Sequence, residues 1–578
     1  MHGGDLVARV LVEHGIDALF TLCGGHISPI LVGAKRRGVR VVDTRHEASA
    51  VFAADAWARL TGRVGVAAVT AGPGVTNTVT AVKNAQMAES PLLVLGGATA
   101  TLLRGRGALQ DIDQMSILAP VTKWATRVTT YRALAPTIER ALRLAREGVP
   151  GPVFVEVPID LLYPESTVRD WTLKEFRLEG LAGQALRAAL RAYLYRQFHQ
   201  PHLPLHVPPL PDPIDWTVPG EARSRIDEIH ERLGRARRPV LVVGSQALVN
   251  ETEPERVARA IATLGVPTYL GGMARGLLGR RSEVQFRHER AKALREADFV
   301  LVAGFPFDFR LKYGQAISRR ATLVAVNLSG RALRKNRIPD LAVRMHPGQF
   351  LVELGARGPV RADWSEWYST LRSREAARDA EIERGEPPVA GRVSPLRFFV
   401  ELERLLPDDA ILVADGGDFV ATASYILRPR GPLSWLDPGV YGTLGVGGGF
   451  ALGAAAARPD REIWILWGDG SSAYSIAELD TFVRHGMSPI AVVGTDASWG
   501  QIARDQVELL GDDVGTCLRD TAYHEVARGW GGEGLLLDDE SRIAETVEQA
   551  RRIARSGKPV CINVLLSRSE FRKGSISV

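Results

Sequence analysis

Two aspartates carry the strongest chemical signal in the sequence. Asp469 sits in Gly468-Asp469-Gly470-Ser471-Ser472, directly after the apolar run Ile463–Trp467, and Asp496 follows 27 residues later, just past a second apolar run, Ile490–Gly494. A carboxylate at a strand end, beside the amides of a glycine turn, suits a divalent cation that bridges to phosphate oxygens. Two neighbouring parallel strands would present both carboxylates to one Mg2+, and Gly494-Thr495-Asp496-Ala497-Ser498-Trp499-Gly500 has the shape of a ligand loop. Alone, Gly-Asp-Gly is equally a strand-end turn with a structural Asp cap. Other side chains fit chemistry in the same double way. Glu47, opening a helical stretch after Arg45-His46, would by itself be a surface residue complementing the helix dipole. His26, after Gly24-Gly25, is either a hydrogen-bonded loop histidine or a proton carrier.

The elements needed to position these residues are visible as alternating runs. Strand candidates in the first part are Leu19–Leu22, Val39–Thr44, Val64–Thr70, Leu92–Leu95 (ending in Gly96-Gly97) and Val153–Val157, with a helix over about 47–60. Strand, glycine turn and helix in repetition predict a parallel α/β sheet with its sites at the strand C-termini. The runs Pro239–Gly244, Phe299–Gly304 and Thr322–Asn327 predict a second such domain, and Ile411–Ala414, Glu462–Trp467, Ile490–Gly494 and Val560–Leu565 a third, laid out like the first. The expected fold class is therefore α/β, with three doubly wound parallel-sheet domains. Their expected bounds are 1–165, 220–360 and 392–578. Between them lie expected linkers: 166–219, which contains an amphipathic helix (Leu181–Arg196) and then seven prolines between Pro201 and Pro219, and 361–391, which carries a charged helical stretch over about 362–385.

Composition narrows the class. The chain has 578 residues, 45% apolar and 24% charged, an ordinary soluble globular balance that excludes a disordered or fibrous chain. Its 72 basic and 66 acidic groups give +6, a mild excess compatible with a phosphate-bearing ligand, and no basic aromatic cluster points to nucleic acid. No run approaches the length of a membrane span and the N-terminus lacks a signal-peptide pattern, so no membrane association is expected. Three scattered cysteines (Cys23, Cys517, Cys561) form no framework, and a reducing, cytoplasmic setting is expected.

In order and spacing, these clusters resemble the thiamine-diphosphate (ThDP) enzyme superfamily. The aspartate pair is similar to its Gly-Asp-Gly…Asn-Asn signature, departing at Thr495-Asp496, where Asp496 still offers a hard oxygen. Gly442-Thr443-Leu444-Gly445 looks like the family's Gly-Thr-Met-Gly segment; by itself it is the glycine-rich start of a helix. Arg45-His46-Glu47-Ala48, the run Ala53–Gly62, Thr70–Asn77 and Leu109-Gln110-Asp111 match further family segments, so the resemblance covers nearly the whole chain. It implies pyrimidine-binding, middle and diphosphate-binding domains. It implies that Asp469, Asp496 and the Ser498 carbonyl hold Mg2+, that Ser471 and Ser472 meet the diphosphate, and that Leu444 wedges under the cofactor. Gly25, Asn77, Gly417, Asp418, Gly468, Gly470 and Trp499 are placed around the cofactor, although Trp499 is equally a packing residue. Glu47 is assigned the pyrimidine nitrogen, where its carboxylate promotes the tautomer that activates thiazolium C2.

Within the superfamily the nearest resemblance is to acetolactate-synthase-like proteins grouped with the 2-hydroxyacyl-CoA lyases, carried by Gly24–Pro29, Val41–Glu47, Gly271–Gly279, Asp415–Phe419 and Phe571–Ile576. Animal members of that branch carry an N-terminal membrane segment; this sequence begins beyond it, so membrane residence is not expected to carry over. The branch implies cleavage of a 2-hydroxyacyl-CoA to formyl-CoA and an aldehyde, or the reverse joining of formyl-CoA to an aldehyde or ketone, with Glu47, His26 and Gln110 as reacting groups. Cationic partners for CoA are available in Arg275, Arg310, Arg568, Arg572 and Lys573, and ADP would approach Gly244 and Ser245. A homodimer or homotetramer is implied, Glu47 of one subunit serving the cofactor held by Asp469 of another. The alternatives are a 2-keto-acid carboligase of the acetolactate synthase type, with FAD in the middle domain, and a non-catalytic scaffold on the same fold.

Overall fold

The structure, a computed structural model, describes residues 2–175, 180–199, 214, 220–251 and 253–572. The Pro-rich stretch other than Ile214, and the tail from Lys573, lie outside the described residues. The chain divides into two compact units, Met1–Arg59 with Arg63–Pro213, and Leu60–Gly62 with Ile214–Val578.

The first unit contains a six-stranded parallel sheet of β1 (Ala18–Thr21), β2 (Arg40–Asp43), β3 (Gly65–Val69), β4 (Leu92–Ala98), β5 (Trp124–Arg127) and β6 (Pro152–Pro158), in the order β2-β1-β3-β4-β6-β5. Every residue of β3, β4 and β6 is buried, which is why these strands read in the sequence as apolar runs, broken only by Glu156 in β6. Gly96 and Gly97 continue β4 instead of ending it. A Cβ at Gly96 would lie 2.5 Å from the Phe154 ring, and one at Gly97 2.5 Å from the His26 Cβ, so these glycines serve close approach, not a turn. The expected linker from 166 begins with two helices, Glu165–Glu175 and Gly180–Phe198, because their apolar residues find partners: Leu190 and Leu194 are buried, Trp171 packs on Tyr163 and Phe198 on Tyr131.

The second unit holds two further six-stranded parallel sheets. One comprises β7 (Pro239–Val243), β8 (Thr268–Leu270), β9 (Gln285–Phe286), β10 (Phe299–Ala303), β11 (Thr322–Val326) and β12 (Leu341–Val343), ordered β12-β11-β10-β7-β8-β9, the doubly wound dinucleotide-fold order. The other comprises β13 (Ile411–Asp415), β14 (Trp435–Leu436), β15 (Ile463–Gly468), β16 (Ile490–Thr495), β17 (Glu533–Leu537) and β18 (Val560–Leu565), ordered β14-β13-β15-β16-β18-β17, the winding of the first unit's sheet. The helix Ser365–Arg384 fills most of the expected second linker and buries Trp367 and Leu371 in the core of the β7–β12 sheet, where the Trp367 indole N–H donates to the Pro239 carbonyl at 3.0 Å. No helix among the described residues is long and apolar enough to cross a membrane.

The helix Glu47–Thr61 is held by a buried ion pair. Arg59 donates to both oxygens of Asp55 at 2.8 and 2.7 Å, and Asn84 donates to Asp55 at 3.0 Å. Asp55→Ala leaves Arg59 buried without its carboxylate and should cost about 3–5 kcal/mol. Denaturant unfolding of the variant checks this; a midpoint matching the wild type would show that the pair does not anchor this helix.

Candidate active site

Chemistry-bearing residues gather in two places, one in each unit. In the first unit they sit at the C-terminal ends of β1, β3 and β4. Glu47 begins the helix Glu47–Thr61, where the helix dipole favours an acid, yet it is only 7% exposed and accepts a 3.0 Å hydrogen bond from Asn77. A surface dipole complement needs neither burial nor a partner. Asn77 ends the short helix Pro73–Thr76 that follows Gly72, whose φ of +62° is the left-handed conformation glycine supplies at little cost. The sequence-predicted trio of Glu47, His26 and Gln110 is knit together by this turn. His26 Nδ1 lies 3.1 Å from Thr70 Oγ, just before the turn, and a Cβ on Gly72 would lie 2.8 Å from the Gln110 Cβ. Gln110 itself is left-handed, with φ +63°. Gly25, beside His26, is pinned through its carbonyl, which accepts the Tyr163 hydroxyl at 2.8 Å. Burial holds the His26 imidazole below its ordinary pKa, so it is neutral at pH 7 and able to accept a proton. A cavity of about 130 Å3 opens beside Gln110, lined also by Gln114, Arg127 and Glu156.

In the second unit the site follows from strand register. β15 and β16 pair with Gly468 opposite Gly494, so the two aspartates emerge side by side from adjacent strand ends. Asp469 accepts the amides of Gly470 (2.8 Å) and Ala497 (2.9 Å), and Asp496 accepts that of Ser498 (3.2 Å). Burial, and then the charge of Asp496, pushes Asp469 up to about 7; burial also raises Asp496 to about 6. Two buried carboxylates that oppose each other's ionisation form an oxygen pair that a hard cation would relieve. No group of three or more His, Cys, Asp or Glu side chains among the described residues forms a metal site, so an ion here would complete its shell with main-chain, water or ligand oxygens.

The other expected ligands differ in what they offer. The Ser471 hydroxyl donates to the Asp415 and Gly468 carbonyls (2.6 and 3.0 Å) and Ser472 to the Asp469 carbonyl (2.7 Å). Their protons are committed to carbonyls of the turn and of the neighbouring β13, and a phosphate there would meet backbone amides first. The Asp418 carboxylate is occupied by Arg504. Gly417 precedes it at the N-terminus of the helix Asp418–Ile426. Trp499 lies so close over Gly470 that a Cβ there would be 2.5 Å from its ring. Leu444 is half-buried between Gly442 and Gly445, both of left-handed φ.

Several contributors escaped the sequence reading. Asp415, fully buried and pushed up to about 7 by its burial, accepts the amides of Gly445 and Gly447 and the Trp467 indole, and so holds the Leu444 segment. Tyr523 donates to the Asp469 carbonyl at 3.0 Å. Gln114 and Glu156 lie buried beneath the Gly72 turn. Of these, only Asp415 had a signal: its strand-end position and its place in the run Asp415–Phe419. Of the cations expected for CoA, Arg275 donates to the Ser424 carbonyl and lies over Trp435, and Arg310 is paired with Asp308 over Phe305. Arg572 lies over Tyr425. Lys573 is outside the described residues. Gly244 and Ser245 follow β7, beside β10, where the strand order reverses.

Comparison with known proteins places the geometry in context. Three family models match: "Thiamine pyrophosphate enzyme, N-terminal TPP binding domain" over residues 1–117, "central domain" over 226–354 and "C-terminal TPP binding domain" over 415–564. The chain is 48% identical to 2-hydroxyacyl-CoA lyase 2 of Danio rerio, covering all of this chain and 93% of that protein. It is 47% identical to 2-hydroxyacyl-CoA lyase 2 of Homo sapiens, covering all of this chain and 92% of that one. It is 34% identical to the acetolactate synthase large subunit IlvG of Mycobacterium tuberculosis, covering 98% and 96% of the two chains. A solved structure, the thiamine diphosphate-dependent 4-hydroxybenzoylformate decarboxylase of Rhodococcus jostii, superposes with a TM-score of 0.76 at 21% identity over 99% of this chain and all of that one, a likeness of fold.

His26 gives a prediction with a definite sign. Its folded pKa lies below the unfolded value of about 6.5. The unfolded chain therefore takes up a proton first as pH falls, and His26 weakens the fold below that value while leaving it unaffected above. NMR titration of labelled histidine should give a His26 midpoint below those of exposed histidines. A midpoint at or above the ordinary value would contradict the burial argument.

Proposed function

The chain belongs to the thiamine pyrophosphate enzymes, and from that premise we propose that it is a ThDP- and Mg2+-dependent carbon–carbon lyase that splits a 2-hydroxyacyl-CoA into formyl-CoA and an aldehyde one carbon shorter, or joins the two in reverse. The observation that carries this reading is full-length identity of about 47–48% to 2-hydroxyacyl-CoA lyases, combined with an intact Glu47 and an intact Asp469–Asp496 pair. An intact site also weighs against a silent scaffold.

The residues present fit the cofactor. Asp469 and Asp496 would supply two hard oxygens for Mg2+, with the Ser498 carbonyl as a third, and backbone amides of the turn after Asp469 would meet a diphosphate. Leu444, in the segment held by Asp415, would support the cofactor, and the Glu47 carboxylate would engage its pyrimidine ring. Bound there, thiamine diphosphate supplies a nucleophilic carbon for the thioester carbonyl and an electron sink for the bond that breaks. The C1–C2 bond of the substrate breaks, the C2 hydroxyl loses its proton and becomes the aldehyde, and C1 gains a hydrogen to become the formyl group. Neutral His26 would take the hydroxyl proton, with Gln110 as the second polar contact. Following the family, the reading completes the Asp469 half-site of one subunit with Glu47 of another, in a dimer or tetramer. The three unpaired cysteines suit the cytoplasm.

Mass spectrometry of products decides the reaction. With ThDP and Mg2+, formyl-CoA plus an aldehyde should yield a 2-hydroxyacyl-CoA. Acetolactate from pyruvate, with no CoA product, would overturn the lyase reading in favour of a carboligase. Chelation of the metal should abolish turnover and added Mg2+ restore it. Glu47→Gln should lower kcat by about a hundredfold or more while leaving ThDP binding intact; undiminished turnover would remove Glu47 from the chemistry.

A further inference from the structure

We propose that Gln114 is a positioning residue of this enzyme: its buried carboxamide clamps the Gly72 turn to the end of β4 and thereby keeps Glu47, His26 and Gln110 in one arrangement. The proposal rests on the reading of those three residues as reacting groups.

The three sit on different stretches of chain, and their loops meet at two backbone points. One is Gly72, in the turn that leads to Asn77 and so to Glu47, and against which Gln110 packs. The other is Gly97, on which the His26 Cβ rests. Gln114 hydrogen-bonds to both. Its Oε accepts the Gly72 amide at 2.8 Å and its Nε donates to the Gly97 carbonyl at 3.0 Å. Gln114 is 1% exposed, so water cannot replace either bond.

The orientation of the amide is itself determined. Gln114 Nε also lies 3.1 Å from Glu156 Oε, and a carboxylate only accepts, so the NH2 group must face Glu156 and the oxygen must face Gly72. Glu156 is buried on β6 and its charge is matched by Arg127, which stands opposite it on the edge strand β5. The line Arg127–Glu156–Gln114–Gly72 thus carries order from the sheet to the turn. Gln114 in turn opens a short helix whose cap, Asp113, accepts the Ser116 amide. At the other end of the loop, Thr101 donates twice to buried Asp160. Gln110 lies between these anchors in a left-handed conformation that an unanchored glutamine would leave.

The test compares Gln114→Leu, Gln114→Glu, Glu156→Gln and the double variant Gln114→Glu/Glu156→Gln in the ThDP- and Mg2+-loaded enzyme. Steady-state kinetics, melting temperature and amide exchange of residues 70–77 are read for each. Gln114→Leu should lower kcat by about a hundredfold, the scale of a small misplacement of reacting groups. The KM for the acyl-CoA should stay within about threefold, and the 70–77 amides should exchange faster. Gln114→Glu sets two carboxylates against each other and should be as impaired; adding Glu156→Gln restores a donor between the two positions but not the bond to the Gly97 carbonyl, and should recover part of the loss. Gln114→Leu turnover within about twofold of the wild type would overturn the proposal. So would a common fall in kcat, KM and melting temperature that the double variant does not relieve, because that is the behaviour of a merely structural residue. A wild-type enzyme inactive on 2-hydroxyacyl-CoA and formyl-CoA would sink the proposed reaction instead. The exchange data would then decide the clamp alone, unchanged protection at 70–77 counting against it.

Discussion

Two carboxylates side by side under protein repel each other, and much of the second unit is arranged to keep them there. Parallel pairing of β15 and β16 fixes their separation through the backbone, so neither can retreat without breaking the sheet. Three amides stabilise the charges, Arg504 neutralises the third nearby acid, Asp418, and Tyr523 ties down the carbonyl of Asp469. A further buried acid, Asp415, works one strand away, opposite Trp467, and spends its oxygens on the segment that bears Leu444. The mutual repulsion of the aspartate pair is what a divalent ion would relieve there.

The first unit solves its positioning problem with different means. Its candidate groups stand on a helix start and on loops past the strand ends, and the ordering comes from side-chain amides: Asn77 on Glu47, and Gln114 on two backbone groups at once. Backbone amides suit a site that must attract a fixed anion. Side-chain amides suit one in which an acid, an imidazole and a carboxamide must keep their distances without a net field. Both units start from the same strand winding, so the contrast lies in the loops and not in the sheets.

What could be read from the sequence divides along the same physical line. Buried central strands such as β3, β10 and β15 are continuous apolar runs and were legible. The strands that escaped are β5, β8, β9, β12, β14 and β17; all but β8 lie at sheet edges, and their short or mixed sequences such as Trp-Ala-Thr-Arg carry no such run. The positions of Glu47 at a helix start and of Asp469 and Asp496 at adjacent strand ends were legible because a motif surrounds each. Gln114 and Glu156 were not, since a buried carboxamide and a mid-strand acid announce themselves only through partners 17 to 42 residues away in sequence. The family resemblance implies a diphosphate role for the serines of the Asp469 turn; their hydroxyls donate to the carbonyls of Asp415 and Asp469, a task that the motif does not announce. Thr495, at the departure from the family pattern, completes β16 and donates to Asn563 at 2.6 Å, a task of the sheet and not of the loop.

The contact of Trp499 with Gly470 has a consequence for inheritance. The indole occupies the space that any side chain at 470 would need, so the two positions cannot drift independently. A lineage that enlarges residue 470 must first shrink residue 499, and one that loses the indole uncovers the turn that carries Asp469. Two positions 29 residues apart in the chain therefore form a single heritable character, and a duplicate gene released from selection for catalysis would be expected to betray itself there by changing one without the other.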